Sequence, residues 1–278
     1  MRKQRTLLCL LLILCFTVVS LSEIEVVKAK KLLNLTITPD GSVEPSTYLL
    51  ERNGTTYTFK GDIFGTIMVQ KDGITIDGAG YAIEGRKVVD ERGIYLVGPD
   101  RSRASCINVV VKNLKILNFY EGIYVVGGSN NSIIGNYLED AGIHIIGNAN
   151  ITGDLIKHNT FKDSGIFVDY NPYGIDIITE NDFFNGWIGA GLSDVPIVER
   201  NYWSDYNGTD TDGDGIGDTP HTSQYKLDED VLDYSPLMAP LDRAIPEFPS
   251  WIITPMFLIA VVVALIFKKR LCQSSERF

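Results

Sequence analysis

Between residues 73 and 203 the chain repeats itself, and this most limits what it can become. The fragments "KNLKILNFYEGIYV", "GNYLEDAGIHI", "HNTFKDSGIFV", "ENDFFNGWIGA" and "RNYWSDY" align on Asn113, Asn136, Asn159, Asn181 and Asn201, at intervals of 23, 23, 22 and 20 residues. Short alternating runs such as "SIIGNYL" and "DLIKHNTF" carry the strand period of two, and no segment of the repeats shows helical apolar spacing. A period in the twenties built of such runs is that of a strand solenoid, in which each turn of chain buries its apolar side only by stacking on the next. The leucines at fixed sites and the outer helix of a leucine-rich repeat are missing. The fold expected is all-β, a right-handed parallel β-helix over 61–203, with Ile and Val inside and coils about 4.8 Å apart. Registering the five asparagines would stack their amides as a ladder at one turn. Residues 31–60 are expected to form a strand-rich cap over the open end.

The two ends place this domain. Arg2, Lys3 and Arg5 precede an apolar run from Leu7 to Leu21, the pattern of a signal peptide over 1–29, with cleavage after Ser22 or Ala29 both open. Ser250 to Phe267 is apolar and free of charge and is closed by Lys268, Lys269 and Arg270. Residues 250–267 therefore read as a transmembrane anchor with 268–278 as a cytoplasmic tail and everything before them outside. Residues 234–249 form a Pro-rich linker. Of four cysteines only Cys106 belongs to the expected ectodomain, so no internal disulfide is available there. The net charge of −10 argues against nucleic acid as a partner and favours cations and neutral glycans. Sequons at Asn34, Asn53, Asn130, Asn150 and Asn207 fit a cell-surface location.

Three groups of residues are candidates for function. In "GIYL", "GIYV", "GIHI" and "GIFV" the aliphatic neighbours point inward, so strand alternation sends Tyr95, Tyr124, His144 and Phe167 outward on successive coils. A strip of rings one strand apart matches the step of a β-linked polysaccharide, each ring contributing on the order of 1 kcal/mol to a sugar face; stacking that merely stabilises the coils is the other reading. Asp154 and Asp176 each lie five residues before a ladder asparagine, which makes them coil neighbours and the best carboxylate pair for a polysaccharide hydrolase or lyase. Asn131 and Pro196 occupy the matching positions on either side, and no Arg or Lys column accompanies the pair, so the non-enzymatic reading leads. His144, His158 and His221 are the only histidines and are not spaced as a soft-metal cluster.

The third group lies in "GTDTDGDGIGDTPH", within the acidic region 204–233. Counting from Asp210, carboxylates Asp210, Asp212, Asp214 and Asp218 fall at positions 1, 3, 5 and 9, Gly215 at 6, and the Ile216 carbonyl at 7. That is the spacing with which a calcium loop surrounds a hard cation. His221 stands where the bidentate Glu of the full pattern would be, so a further ligand is required, with Asp205, Asp228, Glu229, Asp230 and Asp233 within reach along the chain. A structural Ca²⁺ is the expected cofactor, against an unliganded acidic spacer.

Together these blocks resemble the NosD-like right-handed β-helix proteins, whose repeats are associated with carbohydrate binding and sugar hydrolysis. The resemblance rests on "GTIMVQKDGITIDGAGYAIEG", on the "GNYLEDAGI"-type coils, and on "NYWSDYNGTDTDGDGIGDTPH" with "DYSPLMAPL". It implies a role in the cell envelope, or alternatively as an accessory factor in copper-enzyme maturation. "IPEFPSW" before the anchor resembles an archaeal sorting signal whose Pro246, Glu247 and Phe248 an archaeosortase would recognise.

Overall fold

A computed structural model describes residues 30–98, 106–147, 153–169, 175–191, 196–223 and 231–241. The expected signal peptide, anchor and tail, and linker residues 242–249, lie outside the described residues. Among the described residues the regular structure is all β, and the strands stack almost entirely in parallel. Each coil contributes three strands, and each strand pairs with its counterpart one coil on, the topology of a parallel β-helix. One coil runs Val110–Lys112, Lys115–Leu117, Glu121–Val126, and the next runs Ser132–Ile134, Tyr137–Glu139, Ile143–Ile146.

Alternation within these short strands builds the core. Alternate residues of each strand point in, two of them on first-face strands such as Glu121–Val126 with Ile123 and Val125, and parallel pairing in register stacks like on like. The first face stacks Ile67, Ile94, Ile123, Ile143, Ile166 and Ile188. The second stacks Tyr57, Ile76, Val111, Ile133, Ile156, Ile178 and Val198. The third passes from Ile83 through Ile116 and Leu138 to Phe161, Phe183 and Trp203. All are buried. The last three rings lie nearly parallel, with centroids 4.7 and 4.4 Å apart. β-Branched side chains suit such columns because their stiff χ1 costs little entropy when packed against copies of themselves.

Residues 31–60 are strand-rich, though they continue the coils more than they cover them. Leu33–Ile37 extends the first face by pairing in parallel with Ile63–Val69, and Thr56–Phe59 extends the second by pairing with Thr75–Asp77. Hairpin partners at Val43–Glu44 and Leu50–Asn53 then close the edges antiparallel.

The corner between the second and third faces carries the amide ladder, with one correction to its register. Asn136, Asn159, Asn181 and Asn201 are at most 2 % exposed. Each side-chain oxygen accepts the backbone N–H of the corner residue one coil earlier, at 3.1, 2.9, 2.9 and 3.0 Å and steps of 22, 23, 22 and 20 residues. The first of those N–H groups belongs to Leu114, so Asn113 is not a rung. It sits one residue outside the column with φ +54° and bonds Asp77, a left-handed turn position that asparagine tolerates. Each rung amide also donates across the corner, Asn181 to the carbonyls of Ile156 and Thr179, for example.

Asn181→Ala would leave the Asn159 N–H and two carbonyls short of a buried partner. At about 1–3 kcal/mol for each group left unsatisfied, a loss of several kcal/mol in urea unfolding is expected. Asn113→Ala should lose less than about 1 kcal/mol, since Asn113 is exposed and bonds only at the surface. Equal losses would contradict the corrected register.

Candidate functional site

The outer side of the first face holds the predicted rings in an unbroken column. Tyr95, Tyr124, His144 and Phe167 occupy matching positions of four consecutive strands, with ring centroids 5.3, 5.1 and 5.2 Å apart. Their interplanar angles are 48°, 70° and 61°, so the first contact is tilted and the other two are edge to face, and Tyr124 is only 9 % exposed. The column therefore packs the coils together and presents the half-exposed rings of Tyr95, His144 and Phe167 on its outer side.

Two residues absent from the sequence reading run alongside. The Arg92 guanidinium lies over the Tyr95 and Tyr124 rings, 5.2 and 4.1 Å from their centroids, within cation–π range. Its Nε donates to Glu121 Oε2 at 2.7 Å, and the other oxygen, Oε1, bonds His144 Nδ1 at 2.6 Å. Burial would raise the Glu121 carboxyl, but these two bonds and the attendant charges outweigh it and hold it below its ordinary value. Burial, reinforced by the Glu121 charge, pushes the Tyr124 hydroxyl above the ordinary tyrosine value. The other ring nitrogen of His144, Nε2, is buried and has no hydrogen-bond partner among the described residues. The signal for this network was present: Arg92 and Glu121 stand at equivalent positions just before "GIYL" and "GIYV", and Glu121 pairs with Arg92 in the register. Neither residue type distinguishes itself from ordinary surface charge in a sequence.

Asp154 and Asp176 are neighbours in adjacent coils, but both are 2 % exposed and turned to the backbone. Asp154 Oδ1 accepts the Asn131 N–H at 2.8 Å, and Asp176 Oδ1 accepts the Asp154 N–H at 2.7 Å. Asn131 Oδ1 in turn accepts the Val109 N–H at 2.9 Å. These residues make a second ladder, at the corner entering the second face. A carboxylate column there has a consequence that an amide column lacks. Burial, together with the Asp176 charge, raises the Asp154 carboxyl to about 7, while its hydrogen bonds with Asn131 act in the opposite sense. Asp154 Oδ2 is buried, with no hydrogen-bond partner among the described residues.

The acidic loop folds on its own carboxylates. Asp210 accepts from the N–H groups of Gly213, Asp214 and Gly215, at 2.8, 3.2 and 2.9 Å, and Asp214 accepts from Ile216 at 2.8 Å. Gly213 and Gly215 have φ of +76° and +85°, which lets the chain turn tightly around the acids. One oxygen from each of Asp210, Asp212 and Asp214 falls within 4.8 Å of the others, the one such cluster of three among the described residues. These are hard oxygen donors at the separation that a calcium ion spans, so the residues present fit the expected cation. Asp218 lies apart from that cluster. Its Oδ2 accepts from the Thr211 N–H and hydroxyl at 2.8 and 2.6 Å, and these bonds hold its carboxyl below the ordinary value.

One of the candidate further ligands, and the His221 that stands at the Glu position, are used otherwise. Asp233 is 1 % exposed: its Oδ2 accepts from the Asn201 backbone and side chain and from Trp203 Nε1, and its Oδ1 from the Ser235 N–H. It ends the asparagine ladder instead of reaching the loop. His221 stacks on Trp203 with centroids 4.4 Å apart, and burial, opposed by the charges of Asp205 and Asp233, pulls its imidazole below the ordinary value. The other two histidines are engaged elsewhere, His144 with Glu121 and His158 with Glu180. Asp228, Glu229 and Asp230 lie outside the described residues.

Compared with known protein families, curated proteins and solved structures, the chain matches none.

Asp154 gives a pH prediction whose sign is fixed by its raised value. An aspartate that ionises near 4 unfolded and near 7 folded is favoured in the fold only when protonated. The wild type therefore loses this contribution as pH climbs from about 4 to about 7, and Asp154→Asn removes the loss. Denaturant unfolding across pH 4–8 should show the stability difference, variant minus wild type, rising over that interval and levelling above it. A difference independent of pH would contradict a buried protonated Asp154.

Proposed function

We propose that this chain is a surface-displayed parallel β-helix of the right-handed type that binds an extended glycan along its first face and is closed at its C-terminal end by a calcium loop. The observation that carries the glycan reading is the column of Tyr95, Tyr124, His144 and Phe167, continuous over four coils at 5.1–5.3 Å per step. A rigid, regularly spaced row of rings on the outside of a solenoid suits a polymer with its own repeat, because successive contacts reinforce one another without reordering the protein.

The calcium reading rests on the convergence of Asp210, Asp212 and Asp214 and on where their loop is held. Gly217 N–H donates to the Pro236 carbonyl at 2.8 Å, and Met238 N–H donates to the Gly215 carbonyl at 3.0 Å. Leu237 N–H between them donates to the Asn201 carbonyl at 2.9 Å. A cation on the three carboxylates would relieve their repulsion and fix this segment over the last coil, with the Ile216 carbonyl as a further ligand from the loop itself.

Display at the surface follows the predicted signal, anchor and Pro246–Glu247–Phe248 sorting motif, with the NosD-like resemblance placing such repeats in an envelope role. Catalysis by Asp154 and Asp176 is disfavoured by their burial in a ladder. Copper delivery by this chain alone is disfavoured by three histidines each tied to a different acid or ring.

Calorimetric titration of the protein with calcium should give a saturable site in the range of about 10⁻⁴–10⁻³ M expected of extracellular modules, and a higher melting temperature with the ion bound. Asp210→Ala with Asp214→Ala should abolish both effects; heat or a shift that persists in that variant would remove the loop from the account. Separately, Tyr95→Ala with Tyr124→Ala should weaken retention on an immobilised β-linked polysaccharide by about tenfold or more, since each ring contributes on the order of 1 kcal/mol. Unchanged retention by a variant that still melts cooperatively would sink the glycan reading.

A further inference from the structure

The aromatic column does not end at Tyr95. One coil earlier its position is taken by Met68, and beside Met68 and Tyr95 a cavity of 350 Å³ opens, walled further by Arg86, Asp90, Glu91 and Arg92. The two arginines are held in the same manner. Arg86 Nε donates to Glu91 Oε1 at 2.9 Å and Arg92 Nε to Glu121 Oε2 at 2.7 Å. Each Nε bond uses one N–H of a five-donor group, and Arg92 also bonds the Tyr124 side chain, which leaves terminal N–H groups on both guanidinium ions for a ligand.

Burial sets the direction of charge. The side chains of Glu91 and Glu121 are 4 % and 12 % exposed, those of Arg86 and Arg92 51 % and 28 %. The negative ends lie beneath and the positive ends outside, so the cavity presents cations although the local charges nearly cancel. Asp90 is the exception. It stands at the rim, 79 % exposed, with its carboxylate 4.0 Å from Arg92 Nη2, an ion pair longer than a hydrogen bond. The donors thus outnumber the acceptors, and their planar forks match the two oxygens of a carboxylate. Tyr95 supplies the apolar platform for a ring bearing it.

We infer that this cavity is a subsite for an acidic sugar, and that the glycan taken by the first face carries carboxylates, as a polyuronate does. The inference rests on the glycan reading and narrows it. Arg86 and Arg92 bind the carboxylate of one unit, and Tyr95 and the rings beyond it carry its neighbours along the coils. The acidic character of the whole chain does not oppose this, because charges more than about 8–10 Å from the cavity are screened at physiological ionic strength.

The test uses the purified full-length protein and a matched pair of ligands: an oligouronate of about six units, and the same oligosaccharide with its carboxylates reduced to alcohols. Calorimetry should show the acid form binding at least tenfold more tightly. Arg86→Gln and Arg92→Lys should each remove most of that preference, and Arg86→Gln should leave weak binding of the reduced form intact. Arg92→Lys keeps the charge beside Glu121 while losing the fork, and the more exposed Arg86 tests the cavity without touching the ring column. Equal binding of the two ligands, or an acid preference that survives both substitutions, would overturn the acidic subsite and leave the glycan reading standing. Binding of neither ligand would overturn both.

Discussion

Everything else in this molecule depends on one hydrogen bond repeated: a buried side-chain oxygen at a coil corner accepting the backbone N–H of the corner before it. A corner must turn the chain while still buried, and there the backbone cannot satisfy itself as it does within a strand. Asn136, Asn159, Asn181 and Asn201 solve this at one corner, and Asn131, Asp154 and Asp176 at another. The corners fix the coil-to-coil register. That register stacks isoleucine on isoleucine inside, and outside it stacks Tyr95, Tyr124, His144 and Phe167. Core and candidate binding surface are thus two faces of the same alignment, and a slip of one residue would destroy both.

A ladder must also stop. The last asparagine, Asn201, meets Asp233, whose carboxylate takes the final backbone N–H, the final amide and the indole of Trp203 together. Over that indole lies His221, which ends the run of stacked rings from Phe161. The acidic loop is tied into the same closure, since Leu237 bridges to both Tyr202 and Ile216. The candidate calcium residues therefore sit where a solenoid most needs help, at an end where the coil has no successor to cover it.

The fold was legible because a period of about 22 residues with strand alternation admits few architectures. The ladder was legible one coil at a time and failed at its first rung, where Leu114 holds the place and Asn113 only turns the chain. Asparagine serves both roles, and sequence spacing alone does not separate an amide pointing in from one pointing out. The outer ring column was found because its flanking aliphatics declared their direction. Arg92 and Glu121 were missed because charge on an outer strand is the commonest thing there. Asp154 and Asp176 were correctly placed as neighbours, yet their environment was not readable: a buried carboxylate serving as a ladder rung looks the same in sequence as one facing a substrate. Asp233 was misplaced as a possible cation ligand for the related reason that its true partners lie 30 and 32 residues away.

The most direct test of this account is amide hydrogen exchange along the whole chain, with and without saturating calcium. If the loop closes the solenoid, the ion should slow exchange at Asn201, Gly217, Leu237 and Met238 and leave the central coils, residues 106–147, as they were. Identical exchange in the two conditions would contradict it, because the acidic loop would then have no part in holding the last coil.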